Sequence, residues 1–311
     1  MSLNKALDSR FKPLINVFPV FPFFFFFFAL LPGAEIKAKR MEIIQEREGR
    51  VTHFSEGLRI LDARTEIFAK SGFYFPNRNL FILLDSVVIR SEDGEIKSDS
   101  CIYFLSSQTS ELFKNVELNF ESLKIFTQRV LWDGEKKEAK SKEVLLILKE
   151  KDMELTGGDA IYNLSNKRGI IREKPVLLLK GEETTTVIGN NFLYDGLLRQ
   201  LVFKVNVEIR QKNSSIFCDT LIYLLSGDSG IALGNPRLIG EKEEVKGNEF
   251  RFFAEEGEVR LMKVMGDVSV VYQTNREKVE IGGEEFIAKV AKGEVSVITM
   301  AGVTYGRVII R

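Results

Sequence analysis

Histidine occurs once, at His53, and cysteine twice, at Cys101 and Cys218. That scarcity excludes a disulfide-dense scaffold and a Cys-rich zinc centre. Carboxylates alone are left as metal ligands, and they would suit a hard cation, but no D-x-D-x-D-G loop is written in the chain. Two readings fit the cysteines: one Cys101–Cys218 bridge in an oxidising compartment, or two buried thiols acting as small hydrophobes. Excess charge is also missing. Lys+Arg and Asp+Glu both total 44, which argues against nucleic acid as a partner, since binding to phosphates needs a basic surplus. No Gly-rich loop ends in GK[ST], so no phosphate-binding cofactor site is expected. Proline is scarce at 7 residues, and long stretches of helical periodicity are lacking.

What is present begins with an apolar segment. Lys5, Arg10 and Lys12 precede Leu14–Leu31, which carries no charge and contains six consecutive phenylalanines, Phe23 to Phe28. As a helix this stretch would be about 27 Å long, close to the thickness of a bilayer's hydrocarbon core. A basic start followed by an apolar run is the export pattern. Residues 1–34 therefore read as one N-terminal hydrophobic helix, a signal or anchor. Cleavage after Ala34 would put Pro32 where a small residue is wanted, which favours an uncleaved anchor in the inner membrane over a soluble, processed chain. Pro19 and Pro22 would kink it. The remainder then lies on the far side of the membrane. Residues 35–50 are charged, with some helical spacing that suits a short helix, and 35–57 read as a spacer.

From residue 58 the chain repeats itself. KSDSCIYFL (97–105), TGGDAIYNL (156–164), IGNNFLYDG (188–196) and FCDTLIYLL (217–225) each place a small or polar cluster before an apolar–apolar–Tyr step. Weaker copies stand at 62–68, 126–132, 246–252 and 281–287. The anchors Phe68, Tyr103, Trp132, Tyr162, Tyr194, Tyr223, Phe252 and Ile287 recur every 29 to 35 residues, a period that marks a repeat architecture. A second strand follows each first one, as in DSVVIR (85–90), NVELNF (115–120) and KPVLLL (174–179). Turn residues such as NLSNKRG and LSGDSG lie between elements. Eight units predict an all-β fold of about sixteen antiparallel strands. The links are too short for crossover helices, so a parallel α/β fold is excluded.

Alternate residues of a strand share a face. One face collects Cys101, Tyr103, Val130, Trp132, Ala160, Tyr162, Phe192, Tyr194, Leu221, Tyr223, Phe250 and Phe252, and the second strands add Val116, Leu118, Val207, Ile209, Val268 and Val270. Such a stripe is either the core between two closed sheets or the lining of a groove for an apolar ligand. A catalytic constellation is harder to find. GDSG (227–230), with His53 and Asp99 earlier in the chain, has the order of a serine-protease triad. Yet Ser229 falls where other repeats have a turn, and a triad is defined by geometry rather than order. The Gly pairs of TGGD (156–159) and IGGEE (281–285) read as strand bends or bulges. No catalytic residue is expected.

The strand ending in apolar–apolar–Tyr, followed by Gly/Asn–Val/Pro–apolar, resembles the OstA-like repeat of lipopolysaccharide-transport proteins. Residues 97–120, 156–179, 188–209 and 217–240 carry it best. The order of parts, one membrane segment and then a β array, is similar to the LptC-type member. The resemblance implies an open, twisted β-jellyroll over 58–311 that shelters acyl chains among the stripe residues. A division into an LptC-like part (58–180) and an LptA-like part (181–311) would account for the length. It also implies lipopolysaccharide as ligand, an inner-membrane ABC transporter and other jellyrolls as partners through paired edges, and a periplasmic site of action. A scaffold or adhesin-like stalk working by strand addition is the alternative open to the same repeats.

Overall fold

The computed structural model describes residues 34–310 apart from 47–48, 63–64, 150, 152, 182, 256–257 and 292–293. The expected N-terminal helix, its anchor segment 14–31 and most of the 1–34 region lie outside the described residues. Among the described residues no helix is long and apolar enough to cross a membrane. Apart from one short 3₁₀ turn, Pro76–Arg78, the regular elements are β-strands, and every strand pairing is antiparallel.

The repeat is built around a bend. In the strand Leu80–Ser91, Asp85 and Ser86 both take left-handed backbone angles, φ 60° each. The strand Thr109–Phe120 does the same at Lys114 and Asn115, and Gln200–Gln211 at Val205 and Asn206. Glu56–Gly57, Glu173–Lys174, Gly234–Asn235 and Gly266–Asp267 continue the series. Left-handed angles come most readily to Gly, Asn and Asp, which explains why the motif reads Gly/Asn before Val or Pro. At each bend the facing strand supplies one residue against two, a bulge that turns the chain. Ladder pairing thus jumps from Leu84↔Ser100 to Val87↔Ser98, and from Lys204↔Thr220 to Val207↔Cys218.

Facing strands also satisfy the polar groups of the bend. The Lys70 amide donates to the Asp85 carbonyl at 3.0 Å, and the Asn248 amide to the Gly266 carbonyl at 3.0 Å. The Asn115 side-chain amide donates to Asp99 at 3.0 Å. The polar residue that opens each repeat therefore marks the bend, not a ligand site.

Each bent strand serves two leaves. Leu80–Leu84 and Val87–Ser91 lie on opposite sides of one corner, and both put alternate residues inward: Phe81 and Leu83 before it, Val87 and Ile89 after it, all buried. The leaves face each other across one continuous core. Phe120, beyond the corner of its strand, stacks on Tyr162 of the opposite leaf with centroids 5.5 Å apart. This is the two-leaved antiparallel sandwich that the resemblance implied, joined along the corners.

Two expectations are corrected. Among the described residues the strands number 26, not about sixteen, because several bends interrupt pairing. Arg168–Arg172 and Val176–Leu179, for example, are separate strands divided by the Glu173–Lys174 bend and Pro175. Residues 35–57 are not a spacer with helical structure. Ala34–Glu46 and Gly49–Asp62 pair from Ala34↔Asp62 to Glu46↔Gly49 and begin the sheet. Val51, Phe54, Leu58 and Ile60 are buried. Burial of these apolar residues and pairing of the backbone outweigh the weak helical spacing of the charged residues.

Val205 is the exception among the bend residues, a β-branched side chain at φ 66°. It is also 48% exposed, so little contact offsets the strain. Val205→Asn is expected to stabilise the protein by about 1 kcal/mol, read as a raised denaturation midpoint with an unchanged slope.

Candidate functional site

The aromatic stripe points inward along its whole length. Cys101, Tyr103, Val130, Tyr162, Phe192, Tyr194, Leu221, Tyr223, Phe250 and Phe252 are buried, while Trp132 and Ala160 are partly buried against the same core. The space beside the stripe is not uniform. Val130, Ala160, Tyr162 and Phe192 surround a void of only about 20 Å³. Tyr103 and Trp132 line a cavity of about 280 Å³ near the turns between Thr65 and Leu164. Leu221, Tyr223 and Phe252 line a cavity of about 860 Å³. Tyr194 and Phe250 line none of these three.

The large cavity lies between the leaves toward the C-terminal end, and its volume is in the upper part of the usual range for small-molecule sites, about 300–1,000 Å³. Met153, Leu177, Phe203, Met262, Phe286 and Met300 form much of its wall. Most of these were not singled out from sequence. Ile209 and Val270, named for the second strands, do line it, so alternation in the second strands was the usable signal. Of the last strands, Glu277–Ala291 carries only the weak copy 281–287, with Ile287 in place of Tyr, and Glu294–Ala301 carries no copy of the motif. Ala288, Val290, Val295 and Ile298 bring small or medium side chains there, where earlier repeats place Tyr or Trp.

Local contacts keep the wall flat. A side chain at Gly230 would collide with the Phe252 ring, 2.0 Å from the position of its first carbon. Gly230 is therefore what lets Phe252 lie against the sheet, a cross-strand pairing of aromatic ring and glycine. Phe192 and Phe203 pack at 4.9 Å between centroids, Phe203 on the wall of the large cavity and Phe192 beside the small void.

Charges gather at the open side, where the hairpin turns of the two leaves approach. The Lys151 ammonium donates to both oxygens of Asp228, at 2.9 and 2.8 Å, and the Tyr223 hydroxyl donates to the same carboxylate at 3.0 Å. Lys180 pairs with Glu154 and Lys212 with Glu183 along the rim. Closer to the N-terminus, Lys137 pairs with Asp93 at 2.6 Å and Lys167 with Glu121 at 3.1 Å. Asp195 is a buried carboxylate with a structural explanation. Its side chain accepts from the amides of Leu198 and Leu197, at 3.0 and 3.1 Å, and from Arg168 at 2.8 Å. The Leu198 amide first, then Arg168, hold it below the usual carboxylate range.

The residues weighed for other chemistry are held apart. His53 stacks on Phe73 at 4.6 Å, Asp99 accepts from Asn115, and Ser229 opens the strand Ser229–Leu233. Cys101 and Cys218 are free buried thiols, both pushed up to about 12 by burial. Among the described residues no group of three His, Cys, Asp or Glu is placed to hold a metal ion. Burial also raises Tyr162 and Tyr223 above the ordinary phenol value.

A bent, repeated sandwich with an apolar interior is a recognisable pattern, and comparison with known families agrees. Residues 77–219 match the family model of OstA-like proteins. Over these residues, a little under half of its length, the chain is similar to OstA-like proteins. Among solved structures it is similar to the crystal structure of LptH from Pseudomonas aeruginosa, described as the LptA-homologous periplasmic component of the conserved lipopolysaccharide transport device. That similarity has 12% identity and a TM-score of 0.19, and covers 41% of this chain and 73% of LptH. No curated protein matches the sequence.

The large cavity is expected to bind an apolar reporter dye that brightens when sheltered from water. Met262→Trp and Val270→Trp, both on its wall, should each reduce the bound fluorescence severalfold, with little change in folding cooperativity. Unchanged fluorescence in both would mean the dye sits elsewhere.

Proposed function

We propose that this OstA-like protein is a component of the periplasmic bridge that carries lipopolysaccharide from an inner-membrane ABC transporter to the outer membrane. In this reading the groove between the leaves shelters the acyl chains. The observation that carries it is the apolar cavity of about 860 Å³ between leaves of an OstA-like fold. Its walls bring aliphatic and aromatic side chains to a space that a fully closed stalk would fill. Burying an acyl methylene is worth about 0.8 kcal/mol, so a chain of roughly 14 carbons gains on the order of 10 kcal/mol. That is enough to hold a lipid out of water without any covalent step.

The exposed ends of the sheet supply the partner surfaces. Ala34–Glu46 pairs with the strand after it, and Met41, Ile43 and Ile44 on it are exposed. At the other end Val297, Val308 and Ile310 are exposed, on the strands Glu294–Ala301 and Tyr305–Ile310. Exposed strands with apolar faces favour addition of another sheet. Other jellyrolls of the bridge would dock here in series. The protein acts in the periplasm, held at the inner membrane by residues 14–31, or released if processed near Ala34. The part from 58 to 180 corresponds to an LptC-like portion and 181–311 to an LptA-like portion, with most of the large cavity in the second.

The test is photo-crosslinking in cells. A photoreactive amino acid in place of Tyr223 or Phe252 is expected to capture lipopolysaccharide, and one in place of Asp159, at the outward-reading start of its repeat, is not. Capture at Asp159 alone, with nothing at Tyr223 or Phe252, would leave the scaffold reading standing.

A further inference from the structure

We propose that the Lys151–Asp228 ion pair is a clasp across the mouth of the sandwich that sets where the acyl-chain groove ends. This rests on reading the large cavity as the acyl site.

The two residues belong to opposite leaves. Lys151 sits in the turn between the strands Val144–Leu148 and Met153–Gly157. Asp228 sits in the turn between Ser214–Leu224 and Ser229–Leu233. The leaves are joined through their bends on one side, and on the other side only side chains meet. The clasp is well made for that place. Both carboxylate oxygens accept from the ammonium, and the Tyr223 hydroxyl fixes the same carboxylate at 3.0 Å. Lys151, Asp228 and Tyr223 also line the large cavity, so the clasp is part of the cavity's own wall.

Position separates a closed stretch from an open one. Toward the N-terminus a crossing of the same kind recurs at Lys167–Glu121, and beyond it Lys137–Asp93 lines the separate cavity of about 280 Å³. Beside the first of these Tyr194 and Ser122 bring their hydroxyls to 3.4 Å. The interior at Tyr162 holds only the void of about 20 Å³. Toward the C-terminus lies the cavity of about 860 Å³. An acyl chain thus occupies the open stretch and advances past the clasp only when the leaves part. With side chains 30% and 28% exposed, the pair is within reach of water and salt, and it can open and reclose without unfolding.

The experiment uses the full chain and a photoreactive palmitate analogue with a mid-chain diazirine, with labelled peptides mapped by mass spectrometry. In the unaltered protein, label is expected near Met262 and Phe286, and not near Tyr162 and Ile171. Asp228→Lys or Lys151→Asp alone should carry label to Tyr162 and Ile171, at least fivefold above background. The double variant K151D/D228K should restore the original boundary, and roughly 1 M salt should move it in the unaltered protein. Asp228→Asn, which keeps the shape and removes the charge, is the milder variant and should show the same extension. A labelled cavity with the same boundary in every variant overturns the clasp alone. A cavity that takes no label in the unaltered protein overturns the acyl-site reading and the clasp with it.

Discussion

The left-handed bend is the constraint on which the rest of the structure depends. A straight strand can serve one sheet. A strand bent at Asp85–Ser86 or Val205–Asn206 serves two, and its apolar residues on either side of the corner meet over one core. Because the bend is itself a bulge, two residues opposed by one on the facing strand, the same register shift recurs at successive strand pairs. Phe203 and Val207, four positions apart in the bent strand, stay in phase and both face inward, whereas on the facing strand alternation is reset, so that Leu221 and Cys218, three positions apart, are both buried.

The same geometry explains why one fold holds both a closed interior and a cavity. The backbone frame is alike from repeat to repeat, so the free space depends on what the inward positions carry and on how far the open side is held together. Where Phe120 stacks on Tyr162 across the leaves, little is left empty. Where Ala288, Val290 and Ile298 take the inward positions, the leaves do not meet. Dispersion contacts need near touching surfaces, so an interior short by one ring per repeat leaves a space instead of collapsing.

Much of this was legible in the residues, and what was not has particular causes. The period was written in Tyr162, Tyr194 and Tyr223, and the inward face followed from alternation alone. The corner was present in the text as Gly/Asn before Val/Pro, but its meaning, one strand in two leaves, is a matter of backbone angle and not of hydrophobicity. Counting strands from the motif therefore fell short. The strands Ala34–Glu46 and Gly49–Asp62 were hidden by charged residues on an edge, where exposure permits a composition that mimics a helix or spacer. Past Met262 the cavity wall was foreseen only at Val270, because Ala288, Val290 and Ile298 stand there without an aromatic anchor. The mouth pairs were beyond reach, since Lys151 and Asp228 stand 77 positions apart and nothing local announces their meeting.

A bend repeated at nearly constant spacing makes the length of the molecule a free variable. Each unit carries its own corner and finds its backbone pairing in the units just before and after it, so most of its stability is local. Duplicating one such segment would lengthen the trough by a fixed step while leaving its cross-section untouched. Altering a single inward side chain would change the bore at one point only. A chain of this design adjusts reach by copying and calibre by substitution, and the two adjustments do not interfere.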